Sequence, residues 1–196
     1  MQLLLVSGFL GTGKTTFIIG FAKFAIQKGV KVAILVNEIG EIGIDDQLMR
    51  RLGLNVWEIL GGCICCTLAG SLKETLDKLL EEYKPDLVLL EPSGAADLRS
   101  VNEIVAIYEK RDLIKTRKMV IVDPLRLPML MEVLTPLITS QIQSAELVLI
   151  NKKDLASPGE LETARQTVND IHPGVKILCT SVKERLDPEI IDELLP

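Results

Sequence analysis

The residues best equipped for chemistry stand near the start of the chain, where Lys14, Thr15 and Thr16 follow three glycines in Leu3–Thr16, LLLVSGFLGTGKTT. The spacing is G-x-x-x-x-G-K-[ST], preceded by an apolar run that reads as a strand and followed by a segment that reads as a helix. Gly8, Gly11 and Gly13 let the backbone turn back on itself with its N–H groups pointing inward, and the helix N-terminus adds partial positive charge. A polyphosphate fits such a cradle. Gly11, Thr12, Gly13, Lys14, Thr15 and Thr16 are its candidate contacts, with Lys14 reaching the β- and γ-phosphates and the Thr15 hydroxyl taking a place on Mg²⁺.

A second group, Asn151-Lys152-Lys153-Asp154, follows the apolar run Leu147–Ile150 and has the form N-K-x-D. The Asp154 carboxylate accepts hydrogen bonds from N1–H and N2–H₂ of guanine, donors that adenine lacks. Asn151 helps to hold the loop and approach the base edge, and the stem of Lys152 lies along the ring. An unpaired carboxylate would penalise adenine, so GTP is expected over ATP. Taken alone, a lysine-rich helix entry capped by Asp154 reads the same way; the phosphate loop favours guanine. Ser181, at the end of a later apolar run, is expected to close over the base.

Glu91 ends the run LVLLE and offers a carboxylate where a ligand or outer-sphere partner for Mg²⁺ is wanted. Gly94 offers an N–H to the γ-phosphate, a contact made with GTP and lost with GDP, which marks this loop as a candidate switch. Cys63, Cys65 and Cys66 place three thiols within four residues, after two glycines and before a helix. Thiolates are soft ligands suited to Zn²⁺ or Cu(I), and a helix N-terminus favours the deprotonated form. Adjacent Cys65 and Cys66 point apart, so one chain offers two convergent sulfurs, with Glu38, Glu41 or a second subunit completing a tetrahedral site. Cys179 reads as a buried residue, and His172 as a surface residue at a helix end.

These groups need a scaffold that brings strand ends together. Apolar runs at Leu3–Val6, Val30–Val36, Leu87–Leu90, Met119–Val122, Leu147–Ile150 and Val175–Leu178 alternate with amphipathic stretches, and Leu54–Leu60 adds a further strand candidate. Such alternation predicts an α/β fold, a three-layer P-loop NTPase with a mostly parallel central sheet flanked by helices. Helices are expected over Thr15–Gln27, Leu68–Tyr83, Val101–Leu113, the region after Pro128 with a break at Pro136, Pro158–Ile171 and Glu189–Leu195. In open sheets of this kind ligands bind beyond the carboxyl ends of the strands. Asn37–Glu41, Glu91–Gly94, Asp123-Pro124 and Asn151–Asp154 all fall at such ends.

With 196 residues, 47% of them hydrophobic, the chain can bury a core, and a single domain over 1–196 is expected. A net charge of −5 and a pI near 5.1 give no broad basic surface for nucleic acid. Mean hydropathy is high at +0.30, yet the apolar runs fall short of the roughly twenty residues that span a bilayer. No basic region precedes an apolar leader at Met1, and the clustered cysteines suit a reduced compartment, so a cytoplasmic protein with no membrane partner is expected.

Together GFLGTGKTT, NEIGEIGID, GGCICCT, EPSGAAD and NKKD, in this order from Gly8 to Asp154, resemble the CobW/HypB/UreG family of P-loop GTPases, and within it the CobW-like metal chaperones. The resemblance implies GTP binding and slow hydrolysis, Mg²⁺ dependence, a transition-metal site at the cysteines, often zinc or cobalt, and GTP-dependent pairing of two subunits. It carries phosphate binding to Gly11, Gly13, Lys14, Thr15 and Thr16, guanine binding to Asn151, Lys152 and Asp154, and metal or switch roles to Glu38, Glu41, Cys63, Cys65, Cys66 and Glu91. Three departures stand out. CobW-like proteins usually carry a C-terminal domain beyond the GTPase domain, where this chain ends; the His-rich tract of many HypB and UreG proteins is absent; and Pro92–Leu98 reads PSGAADL where relatives often read T-S-G-x-A-D-P.

The function expected is a GTP-hydrolysing, metallochaperone-like switch delivering a metal to, or activating, a client metalloprotein or corrinoid protein. Lys14, Thr15 and Glu91 are its catalytic candidates, while Asp45 and Glu41 compete as general base. The alternatives are a metal-storage or redox module with a structural nucleotide, and a small-molecule kinase. A MinD-like ATPase is disfavoured, since its phosphate loop carries an extra lysine where this chain has Ser7, Gly8 and Phe9.

Overall fold

A computed structural model of the protein describes residues 1–36, 55–58, 67–92, 98–183 and 186–195. Two compact units make up the chain, one containing Met1–Leu5 and Phe21–Arg117, the other Val6–Gly20 and Lys118–Leu195.

In the first unit the strands run β3 (Asn55–Glu58), β2 (Val32–Val36), β4 (Leu87–Glu91), β1 (Gln2–Ser7), every neighbouring pair parallel. Strands β2 and β4 are apolar on consecutive positions, and Val32–Val36 and Leu87–Leu90 are buried throughout, as a sheet covered on both faces requires. Alternation sends Leu3, Leu5, Leu35 and Leu90 to one face, against Leu72 and Leu76 of α2 (Thr67–Lys78) and Val105 and Tyr108 of α3 (Leu98–Glu109).

Helix α3 starts before the expected Val101 and stops at Glu109, short of Leu113, and two further boundaries differ from expectation for local reasons. Strand β2 starts at Val32 rather than Val30, because Gly29 at φ +83° ends helix α1 (Lys14–Gln27) and Val30 N–H still bonds to the Ala25 carbonyl. The single helix expected over Leu68–Tyr83 is α-helical to Lys78 and continues as a π-helical turn over Leu79–Tyr83. Lys84, which precedes Pro85, closes the turn in the left-handed conformation at φ 50°, and its N–H reaches back to Leu79 O at 2.7 Å.

In the second unit β5 (Lys115–Val122), β6 (Leu147–Ile150) and β7 (Lys176–Cys179) are parallel neighbours, with β5 entering this unit at Lys118. Val120, Val122, Val148 and Ile150 share a face and a core with helices α4 (Leu127–Val133), α5 (Thr135–Gln143) and α6 (Pro158–Ile171). The region after Pro128 breaks at Leu134, whose φ of −128° is non-helical, and Pro136 sits in the first turn of α5, where its missing N–H costs nothing. Helix α6 starts on a capping box, Ser157 and Glu160 each bonding the other's backbone N–H; the Ser157 hydroxyl, and after it the Ser157 N–H, donate to the Glu160 carboxyl and hold it below its usual range. A short α7 (Pro188–Leu194) follows. Parallel pairing brings the residues after β5, β6 and β7 to one edge, which is where Asp123, Asn151 and Thr180 stand.

Candidate nucleotide site

The phosphate loop begins where β1 ends. The Ser7 hydroxyl donates to Met119 O at 3.2 Å, and Gly8 follows at φ +135°. A Cβ at Gly8 would lie 2.3 Å from the Ile121 carbonyl oxygen, so only glycine passes this point. Thr12 is 2% exposed and its hydroxyl donates to Phe9 O at 2.9 Å, closing the turn on itself. Lys14, 6% exposed, sends its ammonium back across the loop to the same Phe9 carbonyl at 3.3 Å. A neutral carbonyl is a weak partner for an ammonium, and a phosphate oxygen at the loop is a stronger one. Thr15 and Thr16 occupy the first turn of α1, half-buried and exposed respectively.

The N-K-x-D loop is built onto that turn. Asn151, 2% exposed, donates from Nδ2 to Thr12 O at 2.8 Å and accepts at Oδ1 from Val182 N–H at 3.0 Å. One amide therefore holds the phosphate loop and the segment after β7 together. Asn151 thus secures the loop from both ends of its amide. Gly13, at φ +102°, leaves the room this bond needs, since a Cβ there would fall 2.3 Å from Asn151 Nδ2.

Asp154 is exposed and accepts a hydrogen bond from the Ser181 hydroxyl, whose residue is 2% exposed. That bond aims the carboxylate while leaving its second oxygen for a ligand. Ser181 thus orients the Asp154 carboxylate. Lys152 has φ +61° and pairs through its ammonium with Asp123 at 2.7 Å, leaving only its stem to lie along a ring. Neighbouring Lys153 points elsewhere, to Asp187 at 3.1 Å on the exposed surface, where an ion pair adds little stability.

Glu91 ends β4 in the first unit, half-buried and in register with Val36 of β2. Glu38, Glu41, Asp45, Cys63, Cys65, Cys66 and Gly94 lie outside the described residues. His172 is half-buried at the end of α6, a correction to its surface reading, because its ring Nδ1 bonds with Ile142 O at 3.1 Å. Cys179 is half-buried rather than buried.

The sequence marks Asp123 only as a polar group at a ligand-binding strand end, names no partner for it, and does not single out Arg126. Arg126 donates to Leu10 O at 2.7 Å and lies 5.8 Å from the Phe9 ring centre. The available signal was position: an acid directly after a buried strand, with an arginine three residues on.

A strand, a glycine turn and a helix, bonded to an N-K-x-D loop at the carboxyl edge of parallel strands, define a P-loop nucleotide-binding domain. The sequence pattern of the CobW/HypB/UreG nucleotide-binding domain matches residues 2–179, and the chain belongs to that family. It is 34% identical over 191 residues to the zinc chaperone YeiR of Escherichia coli K12, a match covering 96% of this chain and 57% of YeiR. This chain spans about half the length of the curated relatives it matches. Among solved structures, the hydrogenase maturation factor HypB of Archaeoglobus fulgidus superposes with a TM-score of 0.71 at 22% identity, covering 99% of this chain and 88% of HypB. Zn(II)-bound YjiA GTPase from E. coli gives 0.69 at 23% identity, covering 97% of this chain and 60% of YjiA. Both likenesses describe the fold. No helix among the described residues is long and apolar enough to cross a membrane.

Proposed function

We propose that this chain binds GTP with Mg²⁺, hydrolyses it slowly, and uses the nucleotide state to govern a transition metal held at the Cys63, Cys65 and Cys66 turn, as a metallochaperone switch. The observation that carries the reading is the Asn151 amide bonded to Thr12 and Val182, which makes the phosphate loop and the guanine-reading loop one unit. The zinc class of cargo is supported by the 34% identity to the zinc chaperone YeiR. Cobalt is the other candidate ion, and a client metalloprotein or corrinoid protein receives it. Residues 1–196 act as one GTPase domain in the cytoplasm, and two copies pair in the GTP state.

In this scheme loop N–H groups and the Lys14 ammonium neutralise the charge that grows on the phosphates. Asp154, aimed by Ser181, reads the guanine N1–H and N2–H₂. The Thr15 hydroxyl is an oxygen donor of the type a hard cation takes and would hold Mg²⁺, which supplies further charge neutralisation at the phosphates, and the Glu91 carboxylate at the end of β4 is a donor of the same type for a metal or switch role. Gly94, Glu38 and Glu41, which follow β4 and β2 in sequence, are the residues through which the γ-phosphate acts on the thiols.

The test is a Zn²⁺ titration of the reduced protein in GTP, in GDP and without nucleotide, with subunit mass recorded alongside. Metal affinity and mass are expected to change between GTP and GDP. Equal affinity in all three conditions leaves a GTPase without a coupled cargo site, and hydrolysis by Lys14→Ala at the parent's rate removes the enzyme reading.

A further inference from the structure

We infer that Asp123, at the carboxyl end of β5, is a positioning residue for base selection that acts through Lys152; the inference rests on the guanine reading above. Asp123 is 2% exposed. One of its carboxylate oxygens accepts from Lys152 Nζ at 2.7 Å, and the other from Leu125 N–H at 3.0 Å. Separating such a pair leaves a buried charge without its cation, so the lysine is held firmly.

What it holds is a strained point in the loop. Lys152 lies at φ +61°, a left-handed conformation that costs a residue with a side chain free energy and persists only where the surroundings impose it. Asn151 N–H bonds to Val122 O at 2.9 Å and Lys153 N–H to Thr180 O at 3.1 Å, fixing the backbone on either side. The tethered ammonium supplies the third restraint. It sets the direction in which the chain leaves Lys152, and so where the Asp154 carboxylate, two residues on, meets the base.

The same turn has a second arm. The Asp123 carbonyl accepts from Arg126 N–H at 3.1 Å and Leu127 N–H at 2.9 Å, and Arg126 reaches the phosphate loop at Leu10 O, 2.7 Å away. A Cβ at Gly11 would come within 3.0 Å of that guanidinium, which shows how closely the arm is applied to the loop. Asp123 thus serves the base loop and Arg126 the phosphate loop, from one turn. Their removal has different consequences.

The experiment titrates GDP and inosine diphosphate into the full chain and its variants by calorimetry. Inosine lacks the 2-amino group, so the ratio of the two affinities reports the placement of Asp154, whereas general loosening weakens both alike. The parent is expected to favour GDP. Asp123→Asn and Lys152→Met should each contract that preference by about three- to tenfold, the double variant doing no more than either single change. Arg126→Ala should weaken both ligands by one factor and leave the ratio intact. An unchanged ratio in Asp123→Asn, or losses that multiply in the double variant, overturns the inference while the guanine reading stands. If Asp123→Asn does not fold, Lys152→Arg, which keeps the ion pair, should retain the ratio that Lys152→Met loses; equal ratios in those two overturn it. A parent that binds both diphosphates alike sinks the guanine reading and the inference with it.

Discussion

The Nδ2 of Asn151 lies 2.8 Å from the carbonyl oxygen of Thr12, a buried bond between residues 139 positions apart. It joins the glycine turn after β1 to the N-K-x-D loop after β6.

Asn151→Ala removes both bonds of that amide, stranding Thr12 O in a buried place and Val182 N–H in a half-buried one. Each orphaned group costs roughly 1–3 kcal/mol. The expected outcome is a melting temperature lower by several degrees and a GDP affinity lower by at least about tenfold, read by calorimetry on the same samples. Thr12 itself supplies only its backbone to this bond, so Thr12→Ser should melt with the parent.

Gly13 and Gly29 make a matched pair. Both have positive φ, but a Cβ at Gly13 would stand 2.3 Å from Asn151 Nδ2, whereas one at Gly29 meets nothing within 4 Å. Gly29→Ala should lose only the left-handed penalty of about 1–2 kcal/mol and bind nucleotide normally. Gly13→Ala must in addition displace Asn151, and nucleotide titration should show binding lost.

Asp154→Ala should remove most of the preference for guanine, because hydrogen bonds to a charged acceptor contribute about 1.5–3 kcal/mol each. Ser181→Ala leaves the carboxylate but frees its aim, and a smaller loss is expected, of the order of tenfold. Competition of GDP against ADP measures both. A larger loss in Ser181→Ala than in Asp154→Ala would reverse the roles assigned here.

Tyr108 gives a pH signature remote from the nucleotide. Its hydroxyl donates within the first unit to Asp77 at 2.8 Å and to Lys73 O at 3.1 Å, and burial, followed by the bond and charge of Asp77, raises its pKa above the ordinary value of 10.0. The unfolded chain therefore releases this proton before the folded one does. The contribution to stability is whole below pH 10 and falls as pH rises beyond it. Tyr108→Phe should lose about 1 kcal/mol at neutral pH. It should also flatten the decline in melting temperature as pH rises beyond about 10, where the phenol of the unfolded chain ionises.

The sequence by itself determined whatever depends on a run of neighbouring residues. The order of strands and helices followed from apolar runs and helical spacing, with β6 and α6 reproduced to the residue. The phosphate loop was legible because a chain that must turn with its N–H groups inward needs glycine at fixed intervals, and Gly8, Gly11 and Gly13 all have positive φ. The family followed from five short motifs in order. Tertiary structure alone decided which remote groups meet. Asn151 with Thr12, Lys152 with Asp123, Ser181 with Asp154 and His172 with Ile142 are contacts between segments that no local periodicity relates. Sequence spacing names residues able to make a hydrogen bond; the register of parallel strands and the packing of the helices between them choose the partner. For that reason Asp123 read as a strand end, although burial and its ion pair with Lys152 tie it to the N-K-x-D loop.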